Sequence, residues 1–508
     1  MSLTIINIVF VILCYALYRY KRRRVHELAD KIPSPPGASS VFGALKYSLL
    51  GKDMILVLLM EYSRYAHKTG CGMVKFMTDP HIYIGVSDRD DVEYIMKNCL
   101  EKENVMHFFT EVIGNAGIFA PVSTWIHRRK MLIPAFSPKI VKGFISMQAR
   151  QGLELSEQLE IDGRVGSGEF SIWPYINAYT LSSIAETALG VKLDAQRDSN
   201  IPFLKAVQDV LCYMSSRLIK VWLWPQFIYK YSKLHADIQA SKTLLYKLPD
   251  KIIKEKREAL YNNNKVRNSH EKQTIYGQGE DQKSFLDHLI ILSEEDNRLS
   301  DEELREEILV MMLAGTDSSA VAIGYTLVLL GKYPEIQEKL YSEIKNHLGN
   351  SDRPLNSDDL LALEYLSRVV KESLRLFPPA PAVTRRAGDK EVHLPSGIIL
   401  PKETGIVISI WGMNRDPKQW GPTAECFDPD RFSDKQTATY ASFSLGPRNC
   451  IGYKYALQSV QIAVASIIRR YKVVGEPEKG PVPTIDSTFS IMMRAKDDFK
   501  IALENRNN

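Results

Sequence analysis

The sequence predicts a mostly α-helical protein with a small, separate β-region. Apolar residues at helical spacing dominate, most clearly in residues 301–330, 359–377 and 452–471. Strand-like runs are fewer and lie close together. The chain has 508 residues, of which 45% are hydrophobic and 25% charged, as in ordinary globular proteins. This composition excludes a disordered chain, a collagen, a coiled-coil rod and a multi-span membrane protein.

The first segment, residues 1–24, predicts a signal-anchor helix with a basic stop. Residues 3–18 carry no charge, and a basic run from Lys21 to Arg24 follows immediately. A cleaved signal peptide has its basic residues before the apolar run, which is the reverse order. The positive-inside rule keeps the basic run, and with it the rest of the chain, in the cytosol. The alternative is a buried helix.

Residues 25–40 predict a proline-rich hinge, because Pro33, Pro35 and Pro36 fix the backbone and cannot continue a helix. Residues 41–508 then form one large domain. The polar stretch 261–282 could be a linker, but we interpret it as an exposed loop, because the motifs on its two sides serve one site.

Local patterns place the main elements of this body. An acidic start behind Ser300 predicts a capped N-terminus for the helix over 301–330. Residues 74–77 and 82–86 flank Asp79 and Pro80, which predicts a β-hairpin. Two further apolar runs lie within 392–410. Outside residues 1–24 the chain has as many acidic as basic residues, so its charge favours no nucleic-acid partner.

One of the six cysteines lies in a loop that carries chemistry. Cys450 ends a turn-forming loop and precedes a helical pattern, with Gly446 and Arg448 just before it. Backbone N–H groups at a helix start and a nearby arginine predict a thiolate. With no second cysteine nearby, this thiolate would be a nucleophile or a single axial metal ligand. The alternative is an inert buried thiol.

The full loop pattern, Phe-x-x-Gly-x-Arg-x-Cys-x-Gly over residues 443–452, resembles the heme-binding loop of the cytochrome P450 superfamily. Further segments resemble this family in order and spacing. They are Trp-x-x-x-Arg at 125–129, Ala-Gly-Thr-Asp-Ser-Ser at 314–319, Glu-x-x-Arg at 372–375 and Pro-x-Arg-Phe at 429–432. The chain is identified as a microsomal-type member. Trp420-Gly421-Pro422 resembles the fatty-acid ω-hydroxylase-like branch, which includes many insect enzymes.

The resemblance implies a single cytochrome P450-type domain that binds heme b. Cys450 would be the axial thiolate ligand of the iron. The remaining cofactor-binding residues would be Phe443 and Gly446 in the loop, and Trp125, Arg129, Arg385 and Arg448 at the heme propionates. Arg386 is the alternative to Arg385. A second set, Glu372, Arg375 and Arg431, would form a buried ion-pair cluster with a structural role, which we call the lock.

Catalytic roles fall to Thr316, Asp317 and Ser318 in the resemblance, as groups that deliver protons during oxygen activation. The family usually has Thr where this chain has Ser318. Loss of the β-methyl leaves the hydroxyl less fixed, which predicts looser coupling of reduction to product. The alternative is a serine bonded back to a helix carbonyl. Thr316 is expected to present a second hydroxyl to the pocket.

The position of residues in the family pattern also implies an apolar substrate pocket. Its expected members are Phe108, Phe109, Phe119, Met311, Met312, Ala314, Val383 and Phe489. Each of these could equally be ordinary core. Several relatives have a heme-linking Glu at the position of Ala314, so no covalent link is expected here. This departure puts a strict fatty-acid ω-hydroxylase assignment in doubt. The aromatic segment 222–229 predicts a patch that dips into the membrane.

The implied function is an endoplasmic-reticulum, microsomal monooxygenase, an oxidoreductase that oxidises a lipophilic molecule with electrons from NADPH. The expected partners are NADPH–cytochrome P450 reductase and cytochrome b5. A basic face beneath Cys450 would bind the reductase, formed by His127, Arg128, Arg129, Lys130 and Lys454. Charge reversal of Arg128 and Lys130 would then raise the KM for reductase. Two alternatives are a heme-thiolate isomerase or dehydratase that acts on hydroperoxides without reductase, and a non-catalytic carrier of heme or lipophiles.

Overall fold

The computed structural model describes residues 3–38, 49, 51–76, 82–198, 201–266, 284–296, 299–433 and 440–506. Helices dominate, as predicted. The α-helices span Leu3–Lys21, Arg23–Ala29, Met54–Thr69, Arg89–Asn98, Thr110–Ile113, Val122–Leu132, Pro138–Gly143, Ile145–Ile161, Trp173–Ile184, Pro202–Ile219, Gln226–Tyr229, Lys233–Val266, Phe285–Asp296, Asp301–Lys332, Pro334–Leu348, Ser357–Ala362, Glu364–Leu376, Ile410–Met413, Pro417–Trp420 and Tyr453–Ile468. Short 3-10 turns cover Asn104–Phe109, Ile133–Phe136, Val221–Leu223 and Pro429–Ser433, and a π-helical turn covers Ala185–Leu189.

The strands form small sheets at the edge of the helical body. They are β1 Met73–Phe76, β2 Tyr83–Val86, β3 Phe170–Ser171, β4 Ala382–Arg386, β5 Val392–His393, β6 Ile399–Leu400, β7 Gly405–Ser409, β8 Tyr471–Val474, β9 Ser487–Ser490, β10 Met492–Ala495 and β11 Lys500–Asn505. The largest sheet has the order β1-β2-β7-β4. In it β2 runs parallel to β7, and β4 pairs antiparallel to β7, with Arg385 opposite Ile406. This register fixes the position of Arg385 in the sheet.

Two local predictions differ from the structure in their boundaries. Strands β1 and β2 pair antiparallel, with Met73 opposite Val86, within the segments where a hairpin was predicted. The turn around Asp79 and Pro80 lies outside the described residues. The helix Lys233–Val266 continues past residue 261, so the predicted loop begins later. Residues 267–283 lie outside the described part of the chain.

The central helix, Asp301–Lys332, runs through the body. Its N-terminus has a capping box, since the Glu303 N–H donates to Ser300 Oγ at 3.2 Å and the Ser300 N–H donates to Glu303 Oε2 at 2.8 Å. The helix contributes residues to two separate hydrophobic cores, Ile323 to one and Ile308 to the other. Within the described part of the chain, this helix is long and apolar enough to span a membrane, but 78% of its apolar stretch is buried. It is therefore a core helix.

The N-terminal region has two parts with opposite burial. The helix Leu3–Lys21 leaves Phe10 and Leu17 exposed. The short helix Arg23–Ala29 buries its apolar side chains in the core beside the largest sheet. Beyond it, the Lys75 N–H donates to the Pro33 carbonyl at 2.8 Å. The described part of the predicted hinge, residues 25–38, is therefore packed against strand β1 and its neighbours.

Candidate functional site

The cysteine loop is closed by backbone hydrogen bonds. The Cys450 N–H donates to the Phe443 carbonyl at 2.9 Å, and the Asn449 N–H donates to the Gly446 carbonyl at 3.1 Å. Gly446 has a φ of +69°, and a Cβ there would lie 2.6 Å from the carbonyl oxygen of Met96. Only glycine fits this position. The loop's shape is therefore set by its own backbone and by contact with the helix Arg89–Asn98.

The Cys450 thiol is free and keeps solvent-accessible surface, yet burial dominates its electrostatics. Burial raises its pKa, while the Gly452 N–H and the charge of Arg129 lower it by less. The predicted stabilisation of a thiolate by the protein alone is therefore wrong: a backbone N–H does favour ionisation, but the arginine that does so is Arg129 and not the predicted Arg448, and desolvation outweighs both. A thiol that is both accessible and desolvated faces an enclosed space. A coordinating metal ion in that space would deprotonate it.

One face of the central helix also keeps accessible surface inside the molecule. Met311, Ala314 and Ser318 lie at helical spacing and are only partly buried. Met311 and Ile451, the residue after Cys450, both pack against the same large hydrophobic core. Met312 and Thr316 are 0% exposed. The predictions that they line the pocket are wrong, because they lie on other sides of the helix and pack into its core.

Asp317 and Ser318 are adjacent but differ in their surroundings. Ser318 Oγ donates to the Ala314 carbonyl at 2.7 Å, which is the back-bonded arrangement left open by the sequence. Asp317 is buried, and burial raises its pKa to about 6, while the charge of Arg494 lowers it by less. A carboxyl with such a pKa exchanges a proton near neutral pH.

Two buried arginines converge with unused hydrogen-bond donors. Arg385 is 0% exposed, and its Nη1 donates to the Thr384 carbonyl at 2.8 Å, while its Nε and Nη2 have no partner among the described residues. Arg448 donates from Nη2 to the Ala120 carbonyl at 2.6 Å, and within the same part of the chain its Nε and Nη1 have no partner. Burial lowers the pKa of each to about 10, and for Arg385 the charge of Arg448 adds to the effect. Buried, unpaired guanidinium groups of this kind fit a ligand with carboxylates.

Arg386, the alternative to Arg385, sits differently. Its N–H donates to the Glu101 carbonyl at 3.0 Å, and its side chain is partly exposed. Because neighbouring side chains of a strand point to opposite faces, only one of the two can lie beside Arg448. That residue is Arg385.

The sequence motifs did not mark Lys102, which belongs to the same region. Burial lowers the pKa of Lys102 well below its usual value, and the charges of Arg385 and Arg448 lower it further. Its Nζ lies 6.0 Å from the ring centroid of Phe119. Within the described residues it has no hydrogen bond or ion pair. A single lysine outside any motif gives no sequence signal, since its burial depends on strands and loops far away in the chain.

The helix Val122–Leu132 contributes two predicted cofactor residues with different partners. The guanidinium of Arg448 lies over the ring of Trp125, with its central carbon 4.6 Å from the ring centroid. Arg129 donates from Nη1 and Nη2 to the backbone carbonyl and Oδ1 of Asn449 at 2.8 and 2.6 Å. Both terminal nitrogens of Arg129 are therefore committed to the cysteine loop, so its predicted propionate contact is not seen in this geometry.

Arg128, predicted to lie on a reductase-binding face, is buried. It pairs with Glu307 at 2.8 Å and with Glu303 at 2.6 Å, both on the central helix. Burial raises the pKa of Glu307, and Arg128 opposes that shift. The docking role of Arg128 is wrong, because it lies on the opposite side of its helix from His127 and Lys130, which are exposed.

The predicted lock is a fully paired cluster. Arg375 donates to both oxygens of Glu372, at 2.7 and 2.8 Å, and both side chains are 0% exposed. Its terminal nitrogens also reach the carbonyls of Asn414, Ala424 and Cys426. Arg431 Nε lies 3.4 Å from Glu372 Oε1. This cluster joins the helix Glu364–Leu376 to the segment before the cysteine loop.

An apolar cavity of about 300 Å³ lies between the largest sheet and the helix Met54–Thr69. Of the predicted substrate residues, Phe489 lines it. Strand β4 contributes Thr384, next to Arg385, and the opposite end reaches Trp224. Val383 instead packs toward the core of the sheet. Arg385, Arg448, Cys450 and the central helix are not among the residues that line it, so the cavity lies on the other face of strand β4 from Arg385 and adjoins the aromatic segment.

The other three phenylalanines predicted for the pocket, Phe108, Phe109 and Phe119, lie in other contacts. Phe119 stacks on Phe109 with ring centroids 4.6 Å apart, and Phe108 lies 4.0 Å from the guanidinium of Arg217. Neither Phe108 nor Phe119 lines the apolar cavity. Phe119 remains close to Lys102 and so to the arginine cluster.

The aromatic segment 222–229 is partly exposed. Trp222 and Phe227 are exposed, and Tyr231 follows at 92% exposure. Tyr229 is instead buried beneath Arg217, whose guanidinium lies 3.4 Å from its ring centroid. The segment therefore exposes aromatic side chains to solvent, while Tyr229 at its end is held in place by packing against Arg217.

Comparison with known proteins agrees with these features. The family model described as cytochrome P450 matches residues 33–501. Cytochrome P450 4c3 of Drosophila melanogaster is 28% identical over 98% of this chain and 93% of its own length. Cytochrome P450 4d2 of the same species is 30% identical over 85% of this chain and 84% of its own, and human cytochrome P450 4V2 is 30% identical over 90% and 86%. Relatives from insects and mammals are consistent with the ω-hydroxylase-like branch.

Proposed function

The chain belongs to the cytochrome P450 family, and from this premise we propose that it inserts one oxygen atom from O2 into a lipophilic small molecule, with electrons from NADPH through a flavoprotein reductase. Membership makes it a monooxygenase, an oxidoreductase whose cofactor is heme b with a cysteine thiolate as axial ligand. The observation that carries the proposal is the Cys450 thiol, accessible but desolvated, in a molecule that also holds two buried arginines with unused donors.

The residues fit the cofactor. Cys450 would ligate the iron, and the free N–H groups of Arg385 and Arg448 would bind the propionates. When bound, heme supplies oxygen activation, which an axial thiolate promotes by donating electron density. Arg129 acts on the loop: it holds Asn449 and, by its charge, favours the ionised thiol. Trp125 supports Arg448 from below.

Proton delivery is assigned to Asp317 and Ser318. Asp317, with a pKa of about 6, can carry a proton from the surroundings at neutral pH. The Ser318 hydroxyl donates to the Ala314 carbonyl at 2.7 Å, which leaves its oxygen lone pairs free to accept a hydrogen bond from water. Thr316 has no such place in this scheme, because it is buried in the core.

The substrate is proposed to be an apolar molecule such as a fatty acid, a terpenoid or a xenobiotic. The cavity between strand β4 and Trp224 supports this, because apolar side chains line most of it. Its far end adjoins the exposed aromatic segment 222–229, a composition that favours the membrane interface. Lipophilic substrate would then reach the cavity from the bilayer.

Anchoring in the endoplasmic-reticulum membrane is proposed from the N-terminal segment. The helix Leu3–Lys21 exposes apolar side chains, and the helix after it is docked onto the body. The basic residues at its end would stay on the cytosolic side. A variant that lacks residues 3–18 is expected to move from the membrane fraction to the soluble fraction; retention on membranes would leave anchoring to the aromatic segment alone.

The reductase, and cytochrome b5 with it, would bind the exposed basic residues His127, Lys130 and Lys454. The test uses Lys130→Glu and Lys454→Glu, which should raise the KM for reductase and flatten its salt dependence. Lys247→Glu, at an exposed position of the helix Lys233–Val266, is the matched control and should change neither. Unchanged kinetics in Lys130→Glu and Lys454→Glu would reject this docking face.

Two other functions are separated by one assay. An isomerase or dehydratase acting on hydroperoxides needs no reductase, and a carrier has no turnover. With reductase and a lipophilic substrate, we expect NADPH consumption together with an oxygenated product, both abolished in Cys450→Ala. Product formed from a hydroperoxide without NADPH would favour the isomerase. Oxygenation retained in Cys450→Ala would overturn the ligand assignment.

A further inference from the structure

A lysine and a cysteine from distant parts of the chain meet beside the apolar cavity. Lys52 precedes the helix Met54–Thr69, and Cys212 lies on the helix Pro202–Ile219. Lys52 Nζ donates to Cys212 Sγ at 3.2 Å and to Ser490 Oγ at 2.9 Å. Both Lys52 and Cys212 are partly exposed, so small molecules in solution can reach the amine and the thiol.

The amine of Lys52 is held by a thiol and a hydroxyl rather than by an ion pair. Among the described residues no carboxylate pairs with Lys52. The neighbouring Asp53 accepts a hydrogen bond from the Thr488 hydroxyl instead. An amine and a thiol are both nucleophiles, so they do not react with each other as they stand. They can form a bond once the sulfur is oxidised to an electrophile.

We propose that Lys52 and Cys212 form a covalent sulfur–nitrogen cross-link, a sulfenamide, when hydrogen peroxide oxidises Cys212. The inference goes beyond the oxygenase activity and involves no heme chemistry. In the first step the sulfur attacks peroxide: an S–O bond forms, the O–O bond breaks, and a sulfenic acid and one water result. In the second step the neutral amine attacks that sulfur: an S–N bond forms, the S–O bond breaks, and a second water leaves. One peroxide accepts the two electrons that the sulfur loses.

The contact between the two side chains favours the second step. The amine already lies within hydrogen-bond distance of the sulfur, and Ser490 Oγ accepts from the same amine and fixes its position. Lysine has a flexible stem of four carbons, so closing the remaining distance needs side-chain rotation and no change of the backbone. The amine can therefore capture the sulfenic acid before further oxidation.

The cross-link would tie together two walls of the apolar cavity. Met54 lines the cavity from the helix that follows Lys52, and Leu218 lines it from the helix that carries Cys212. Lys52 and Cys212 are not among the lining residues, so the cross-link would hold these walls together without filling the cavity.

This restraint would be reversible. One thiol displaces the amine and forms a mixed disulfide with Cys212, and a second thiol then releases Cys212 in its reduced form. Because the two residues are 160 positions apart in the chain, the cross-link also restricts the unfolded state and should raise the unfolding temperature.

The test treats the full-length holoprotein with a small excess of hydrogen peroxide at about pH 8.5, where about half of an ordinary thiol is ionised. Peptide mass spectrometry without reductant should find a cross-linked peptide that contains Lys52 and Cys212. Its mass should be about 2 Da below the sum of its two parts, because two hydrogens leave. The oxidised protein should unfold at a higher temperature than the reduced protein. Dithiothreitol should remove both the peptide and the temperature rise.

Two lysine variants serve as controls. Lys52→Arg keeps a charged donor near the sulfur but replaces the nucleophilic amine by a guanidinium that stays protonated. Peroxide should then leave Cys212 as a sulfenic acid, which dimedone traps, with no cross-link and no rise in unfolding temperature. Lys68→Arg, at an exposed position of the helix Met54–Thr69, should cross-link as wild type does.

Three outcomes would overturn the proposal. The first is sulfenic or sulfinic acid at Cys212 of wild type without the cross-linked peptide. The second is a Cys212 that stays reduced while Cys426, which is also partly exposed, is oxidised. The third is the same rise in unfolding temperature in Lys52→Arg as in wild type.

Discussion

Arg375 and Arg385 are both fully buried arginines, yet their surroundings are opposite. Arg375 meets a carboxylate and three carbonyls, and its charge is compensated within the fold. Arg385 reaches one carbonyl and leaves Nε and Nη2 without partners, next to a second arginine. A buried charge that the chain does not compensate costs stability, so its retention indicates a ligand. The paired cluster stabilises the fold, and we propose that the unpaired arginines bind the cofactor.

The largest effect is expected on the paired side. Arg375→Met leaves Glu372 buried without its main partner and should destabilise the protein by about 3–5 kcal/mol. Thermal unfolding and the yield of folded protein measure this. The control is Arg368→Met, because Arg368 is partly exposed and pairs with Glu364 at 3.3 Å; about 0–1 kcal/mol is expected there. Equal unfolding temperatures for the two variants would break the comparison.

Asp317 extends the comparison to a carboxylate. The pKa of Asp317 in the folded protein is about 6, above the ordinary value of 3.8. Its contribution to the free energy of unfolding is therefore fully present below pH 3.8 and is lost as the pH rises through about 6. The shift corresponds to about 3 kcal/mol. Stability of the heme-free protein should therefore fall between pH 4 and 6, and Asp317→Asn should remove this part of the slope. The same slope in wild type and variant would contradict a desolvated Asp317.

On the unpaired side, Arg385→Met and Arg448→Met should each accelerate heme loss on the order of 10- to 100-fold. The heme-free protein should unfold at the wild-type temperature or higher, since an uncompensated buried charge is removed. This opposite response of cofactor binding and stability separates these residues from Arg375. A heme-free protein destabilised as strongly as Arg375→Met would show that Arg385 and Arg448 also serve the fold.

The smallest effect concerns Ser318. Thr at this position keeps the hydroxyl bond to the Ala314 carbonyl, while the added methyl restricts its rotamers. The amount of product per NADPH consumed should rise on the order of twofold, the effect of a few tenths of a kcal/mol of side-chain entropy. Ser318→Ala, which lacks the hydroxyl, should lower the ratio. A ratio that does not respond to either change would remove Ser318 from proton delivery.

Sequence motifs singled out Cys450, Arg448 and the lock, because their spacing is fixed by short loops and one helix turn, while the choice between Arg385 and Arg386 stayed open. The sequence did not settle which residue of a neighbouring pair faces inward. Met311 and Met312, or Arg128 and Arg129, differ by about 100° around a helix, and that angle is set by packing with distant elements. Lys102 was missed for the same reason, since its neighbours come from strand β4 and the cysteine loop.

The direction of the pKa shift of the Cys450 thiol also could not be predicted from the sequence. A favourable backbone N–H was expected from the local pattern, but Arg129 comes from a distant helix, and the desolvation that outweighs both depends on the whole fold around the loop. The sequence also left the hydrogen-bond partner of the Ser318 hydroxyl undecided, since either a water molecule or a backbone carbonyl can satisfy a hydroxyl in a helix.

The most direct test of the heme-thiolate assignment is the carbon-monoxide difference spectrum of the dithionite-reduced protein. We expect a long-wavelength, thiolate-type Soret band in wild type, absent in Cys450→Ala. A shorter-wavelength, histidine-type band in correctly folded wild type, or no heme band at all, would contradict the assignment of Cys450 and of the arginine cluster beside it.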